Sequence, residues 1–238
     1  MHVFTRCTLI WMCALVTTVG CSSGLRLGAR DAMRNQVAAS YGIHSFGDVD
    51  MLRYTFNVQA GGKLTQRAWT WSPGSDTVTF APTGGGPPTI YRREYLSETP
   101  PADLKQIDGW FINDRYWLLF PLQLAWDRDA RVSDTGPALT PIRGVPAQRV
   151  LVTYPPDKGY TPGDVYEIFL DGQHRLVEWI YHRGGAPEPT RITTWEDHRW
   201  VGPILIALDR HGPGEDFRVW FSAVAVKMKG SDRWIEAD

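Results

Sequence analysis

Over residues 51–59, MLRYTFNVQ, the apolar side chains of Leu52, Tyr54, Phe56 and Val58 alternate with Arg53, Thr55, Asn57 and Gln59. A period of two places the two sets on opposite faces of a β-strand. Ala60-Gly61-Gly62-Lys63 supplies a turn, and 64–72, LTQRAWTWS, returns with Trp69 and Trp71 on one face. Ser72-Pro73-Gly74-Ser75 turns the chain again into a strand over 76–81, so this region predicts an antiparallel meander. The same texture recurs in the C-terminal half, at about 147–154, 164–170, 175–182, 190–198, 202–210 and 216–227. Asp171-Gly172-Gln173-His174 reads as a hairpin turn, and 154–163 as a long proline-containing loop.

Two stretches break this rhythm. Leu25, Ala29, Met33, Val37 and Tyr41 recur every fourth residue, which marks one face of a helix with Gly42 as its stop. Thr99-Pro100-Pro101 then reads as a helix start, with Leu104 and Ile107 one turn apart and Gly109 as a stop. The run 110–126, WFINDRYWLLFPLQLAW, is mostly apolar or aromatic, and Pro121 interrupts it. It predicts a short helix followed by an irregular or extended segment. Such a run suits a buried covering helix, a mobile lid or an element that touches a membrane. Asp127, Asp129 and Arg131 mark its return to solvent. Strands in runs with segregated helices imply an α+β fold: a curved antiparallel sheet of about 10–11 strands with two or three helices.

The first residues have a separate logic. Arg6 is followed by CTLIWMCALVTTV over 7–19, an apolar run too short to span a hydrocarbon core, which needs about 20 residues. A basic start, a short apolar run and a small residue before the cut describe a secretory signal over 1–20. Val19-Gly20-Cys21 resembles the lipobox of bacterial lipoproteins, which implies lipidation, palmitate included, at Cys21. Ser22 and Ser23, with no Asp at the second mature position, resemble the outer-membrane sorting pattern. The three cysteines, Cys7, Cys13 and Cys21, all precede residue 22, so no disulfide joins parts of the mature chain. The expected location is therefore the cell envelope, lipid-anchored and facing the periplasm.

Residues 21–238 suit a single β-rich domain. Net charge is −1, and no basic excess points to nucleic acid. Tryptophan is abundant, 11 in the whole chain, which favours large aromatic surfaces with a polar edge. Catalytic and metal chemistry is not supported. His44, His174, His182 and His211 are scattered without ligand spacing, and neither a nucleophile elbow nor a phosphate-binding loop occurs. Glu196, Asp197 and His198 are adjacent but alternate in facing, which predicts a surface cluster. Asp164 and Glu167 likewise face opposite sides and read as solvated residues. No cofactor is expected.

The segments RYTFNVQAGGKLTQRAWTW, DRYWLLFPLQLAWD and GDVYEIFLDGQHRLVEWIYHRGG resemble the bacterial lipoprotein-carrier superfamily, which includes the periplasmic lipoprotein carrier and its outer-membrane receptor. The resemblance covers most of residues 29–227. It implies an unclosed barrel whose concave face is covered by helices and holds acyl chains. It transfers no individual site residue. Neither the closing arginine of the soluble carrier nor the protruding loop leucine of its receptor is matched at any position.

In such a half-barrel the paired aromatics become candidates for lining a lipid cavity: Tyr54, Phe56, Trp69, Trp71, Trp117, Phe120, Trp179 and Tyr181. The same faces also suit a filled core. The expected function is non-enzymatic binding or acceptance of a lipid or acylated ligand by a membrane-anchored lipoprotein. The alternative is an envelope scaffold or interaction module whose core is filled and whose protein partner is unknown.

Overall fold

The computed structural model describes residues 32–157 and 162–237. The leader, Cys21, Leu25 and Ala29 lie outside the described residues. The described residues open with a helix, α1 (32–40), whose Met33, Val37 and following Tyr41 are buried as the four-residue spacing requires. A short helix, α2 (Ile43–Phe46), leads into a meander of β1 (Val49–Ala60), β2 (Lys63–Ser72), β3 (Thr77–Ala81) and β4 (Thr89–Arg92). The long helix α3 (Ala102–Trp126) follows. A second meander comprises β5 (Arg131–Leu139), β6 (Pro146–Thr153), β7 (Val165–Leu170), β8 (Leu176–His182) and β9 (Arg191–Thr194). The chain closes with β10 (Glu196–Val201), β11 (Ile204–His211), β12 (Phe217–Met228) and β13 (Trp234–Glu236).

The strands form two antiparallel sheets. The first has the order β10-β11-β12-β1-β2-β3-β4, with β13 added to β12, and the second has the order β5-β6-β7-β8-β9. Pairing of β1 with β12, from Val49 opposite Met228 to Ala60 opposite Phe217, joins the two ends of the chain. Trp195 alone separates β9 from β10, so one residue carries the chain between sheets. Its N–H donates to Val177 O at 2.8 Å, and the His211 N–H donates to Thr194 Oγ1 at 2.9 Å. The two sheets thus meet at this corner, and the arrangement is a curved sheet that does not close into a barrel.

Three strands were not foreseen. β5 contains Gly136 and Pro137, both strand breakers by composition. It tolerates them because it is an edge strand paired only with β6, with an irregularity between Asp134 and Gly136 where φ reaches +91°. β4 is a short strand at the sheet edge, and β13 is a short strand paired with β12 off the main path. In the other direction, the strand expected over 190–198 is broken at Trp195, and Asp197 adopts φ +50° just beyond it.

The helical reading of the middle segment also needs correction. α3 runs through Gly109 and past Pro121 as one 25-residue element, distorted at Leu119 (φ −116°, ψ 17°). Proline removes one helical N–H and its ring crowds the carbonyl four residues back, here Trp117 O. That carbonyl is taken instead by the buried Arg210, whose Nη2 donates to it at 2.6 Å while Nη1 donates to Ala207 O at 2.6 Å. The break expected from Pro121 becomes a kink because a side chain from β11 replaces the missing donor. Beyond the kink, Phe120 to Leu124 are all buried, so the last turns of α3 are a plug between the sheets.

Candidate ligand cavity

Gly109, Ile112, Asn113, Tyr116 and Trp117 lie at intervals of three and four along α3 and form one stripe. This stripe faces Tyr166 on β7 and Trp179 and Tyr181 on β8, and the two walls enclose a partly open cavity of about 490 Å³. Tyr166 and Tyr181 stand opposite each other in register and stack with centroids 4.9 Å apart and planes 19° apart. Trp117 meets Trp179 edge to face at 4.9 Å. Phe120 backs this wall, 4.9 Å from Tyr166 and 5.1 Å from Trp179.

The mouth is polar. Pro162, Asp164, Arg183 and Gly184 border it. Asp164 is buried, contrary to the solvated residue its place in the sequence suggested. It accepts hydrogen bonds from Tyr181 Oη at 2.9 Å and the Gly184 N–H at 2.7 Å. Arg183 hydrogen-bonds the Tyr181 phenol from the solvent side. Burial, chiefly, and the bond to Asp164 push the Tyr181 phenol up, so it stays protonated and donating.

The opposite side of α3 is clamped to the first sheet. Asp114 is fully buried and accepts two bonds from Arg67, at 2.7 and 2.6 Å, and one from Trp69 Nε1 at 2.9 Å. One and a half turns earlier, Asp108 accepts from Tyr91 Oη at 3.1 Å and Arg93 Nε at 2.8 Å. Phe111 packs between these ion pairs, 5.5 Å from Trp69 and 6.0 Å from Trp71. Charge-assisted bonds therefore hold the helix to β2–β4, and the space lies on its other side, against β7–β8.

The sequence candidates divide along this line. Trp117, Trp179 and Tyr181 line the cavity, and Phe120 packs behind it. Tyr54 and Phe56 pack on Phe221 at 5.9 and 5.7 Å, and Trp69 and Trp71 flank Phe111. These four are not among the residues lining this cavity; they are buried on the first sheet, in ring contact with Phe221 and Phe111. Sequence reasoning missed the stripe Gly109–Trp117 because it ended the helix at Gly109, and a stripe is visible only if the period is carried through that glycine. It also missed Tyr166, although the alternation that pairs Trp179 with Tyr181 applies equally to VYEIFL.

Glu196, Asp197 and His198 each have a separate partner. Glu196 pairs with Arg143, Asp197 accepts from Arg199 Nε, and His198 Nε2 shares a hydrogen bond with Tyr41 Oη at 2.9 Å. Burial, then the Arg210 charge, lowers the His198 pKa to about 4, so the ring is neutral at pH 7. Tyr41 Oη in turn accepts from the Leu176 N–H at 3.0 Å, which ties α1 to β8. Among the described residues no group of three or more His, Cys, Asp or Glu is placed to hold a metal ion. No described helix is long and apolar enough to cross a membrane.

No protein-family model and no curated protein matches the chain. Among solved structures, it is similar to an outer membrane lipoprotein-sorting protein domain from Vibrio parahaemolyticus, at 8% identity and a TM-score of 0.48, covering 86% of this chain and 95% of that one. A DUF1329 family protein from Desulfovibrio piger is similar at 10% identity and a TM-score of 0.46, over 85% of this chain and 95% of that one. A LolA superfamily protein from Nitrosomonas europaea is similar at 6% identity and a TM-score of 0.43, over 82% of this chain and 92% of that one.

Proposed function

We propose that this chain is a lipoprotein of the bacterial envelope, anchored through acylated Cys21, that binds an acyl chain of a lipid or acylated ligand without chemical conversion. The observation that carries this reading is the aromatic-walled cavity between α3 and β7–β8. Its volume lies within the range of about 300–1,000 Å³ usual for small-molecule sites. At about 30 Å³ per water molecule, about 490 Å³ corresponds to about sixteen waters. A methylene is of similar size, so the space suits one long chain rather than several. Burial of a methylene contributes about 0.8 kcal/mol, against an association cost of about 4–15 kcal/mol, so a long chain binds where a short one does not. A membrane anchor keeps the mouth near lipid, which suits a resident acceptor better than a shuttling carrier.

Gly109 gives the cleanest test. It lines the cavity, and a Cβ built on it meets nothing within 4 Å. Gly109→Leu should fill the space while raising helix propensity by about 0.8 kcal/mol. The expected result is loss of fluorescent fatty-acid binding with equal or higher thermal stability. Retained binding in that variant, or a wild-type protein that carries no lipid in native mass spectrometry and binds none, refutes the cavity reading and leaves the filled scaffold.

A further inference from the structure

Trp179, Thr193 and Trp195 share the inner face of the second sheet at its corner with the first. Thr193 stands opposite Trp179 in the β8–β9 register, and Trp195 lies two residues further on with its ring 5.0 Å from Trp179. All three are buried, at 2%, 0% and 1% exposure. Each brings one polar hydrogen, two from indole N–H groups and one from a hydroxyl. None of the three polar atoms has a hydrogen-bond partner among the described residues. An orphaned buried donor costs about 1–3 kcal/mol, and such donors are rare in folded proteins. Here three are contiguous on one face, and one of them, Trp179, is part of the cavity wall.

The surroundings deepen the imbalance. The Arg210 guanidinium lies 4.0 Å over the Trp195 ring, and its Nε is a fourth buried donor without an acceptor among the described residues. Its other two nitrogens are used by backbone carbonyls, Ala207 O and Trp117 O, rather than by a carboxylate. At the mouth, by contrast, Asp164 and Arg183 sit together and offset each other. Of Trp179, Thr193, Trp195 and Arg210, Trp179 alone lines the cavity, so the unpartnered donors of the other three lie in the closed corner behind it; a corner rich in donors is the complement of an oxygen-bearing group.

We infer that this corner, reached from the cavity past the Trp179 side chain, receives the oxygen end of the acyl ligand, a carboxylate or an ester carbonyl, so that the site reads the acyl head as well as burying the tail. The inference rests on the acyl-binding reading above. It predicts a ligand class, single-chain acyl compounds, entering oxygen first with the tail along the Ile112–Tyr166 walls.

The test uses the full-length chain and displacement of a bound fluorescent fatty acid by palmitate, methyl palmitate and hexadecane. At least one of the two oxygen-bearing probes should bind about tenfold or more tightly than hexadecane. Which of them leads separates a carboxylate from an ester carbonyl. Thr193→Val keeps the shape and removes the hydroxyl. It should weaken the preferred probe about fivefold to tenfold, leave hexadecane unchanged, and leave the ligand-free protein at least as stable. Trp179→Phe, which removes one N–H, should act in the same direction. Equal affinity for all three probes overturns the inference while preserving acyl binding. So does an unchanged palmitate and methyl palmitate affinity in both variants, which would assign the donors to buried water. A wild-type chain that binds none of the probes overturns both the inference and the proposed function.

Discussion

Arg210 and Pro121 form a coupled pair whose energetics can be measured. Replacing Arg210 by Met keeps an apolar side chain of comparable length but removes both charged hydrogen bonds, leaving Trp117 O and Ala207 O buried. Each orphaned carbonyl costs about 1–3 kcal/mol. The substitution also relieves a cost, because full burial lowers the guanidinium pKa to about 9, a sign that the cation is held at some expense. The net expectation is a loss of about 2–4 kcal/mol, within the range for breaking a buried charged network. In a Pro121→Ala background the outcome should differ. That substitution restores a backbone N–H that points along the helix to Trp117 O, so one of the two carbonyls is satisfied without Arg210. Arg210→Met should then cost about 1–2 kcal/mol less than in the wild type, a positive coupling by double-mutant cycle. Urea denaturation of the four proteins, followed by near-UV circular dichroism, measures it. Strict additivity within about 0.5 kcal/mol refutes the claim that Arg210 substitutes for the proline's missing donor.

Three further outcomes follow from the same contacts. Burial, then the Arg210 charge, holds the folded pKa of His198 at about 4, below the ordinary 6.5. The unfolded chain then binds the proton more readily between these values, so its contribution is complete above pH 6.5 and is lost as pH falls toward 4. Full burial would make this about 3 kcal/mol, and partial exposure reduces it to about 1–2 kcal/mol; a urea midpoint that falls between pH 7 and 4.5 in wild type but less in His198→Gln checks it. Asp114→Ala should destabilise by about 3 kcal/mol in thermal or urea unfolding, since it strips Arg67 and the Trp69 N–H of their acceptor at once; a loss under 1 kcal/mol refutes the clamp. Cys21→Ser should leave folding intact and move the protein from the membrane to the soluble fraction on cell fractionation, and a variant that stays with the membrane refutes the anchor.

Alternation in β1 and β2 is legible because buried positions alternate with partly exposed ones over most of each strand, the case in which a period of two is written into residue type, whereas in β7 and β8 the other face also holds the buried Phe169 and Glu178. β11 is different. Ile204, Leu205, Ile206 and Ala207 are all buried, so the strand carries no alternation, and nothing in ILIALDRH distinguishes Arg210 from a surface arginine. Its role depends on Trp117, 93 residues away. Pro121 shows the same limit from the other side: local propensity is sound, but its cost is met by a distant donor. Asp164 and Glu167 face opposite sides of an alternating strand and so suggest solvated residues, whereas Tyr181 and the Gly184 N–H, both supplied by the next strand and its turn, satisfy Asp164 inside.

The division of α3 into a clamped face and an open face gives the cavity its physical basis. An amphipathic helix normally closes onto whatever apolar surface it meets, and aromatic walls such as Tyr166, Trp179 and Tyr181 would draw it inward. Two constraints oppose that collapse. Asp108 and Asp114 hold the helix toward β2–β4 through charged bonds that a shift of a few ångströms would break. The kink at Leu119, next to the Trp117 carbonyl that Arg210 holds, separates the buried plug of Phe120–Leu124 from the earlier turns. Ile112, Asn113 and Tyr116 line the cavity that also borders on Tyr166, Trp179 and Tyr181. Both constraints are polar and directional, while the force they resist is apolar and non-directional. On the cavity reading, an acyl chain supplies the contacts that the helix is prevented from making for itself. On that account Arg67→Met, which removes the clamp on Asp114, should lower fatty-acid affinity although Arg67 is not among the cavity-lining residues. An affinity unchanged within twofold in a folded Arg67→Met protein would show that the cavity does not depend on the clamp.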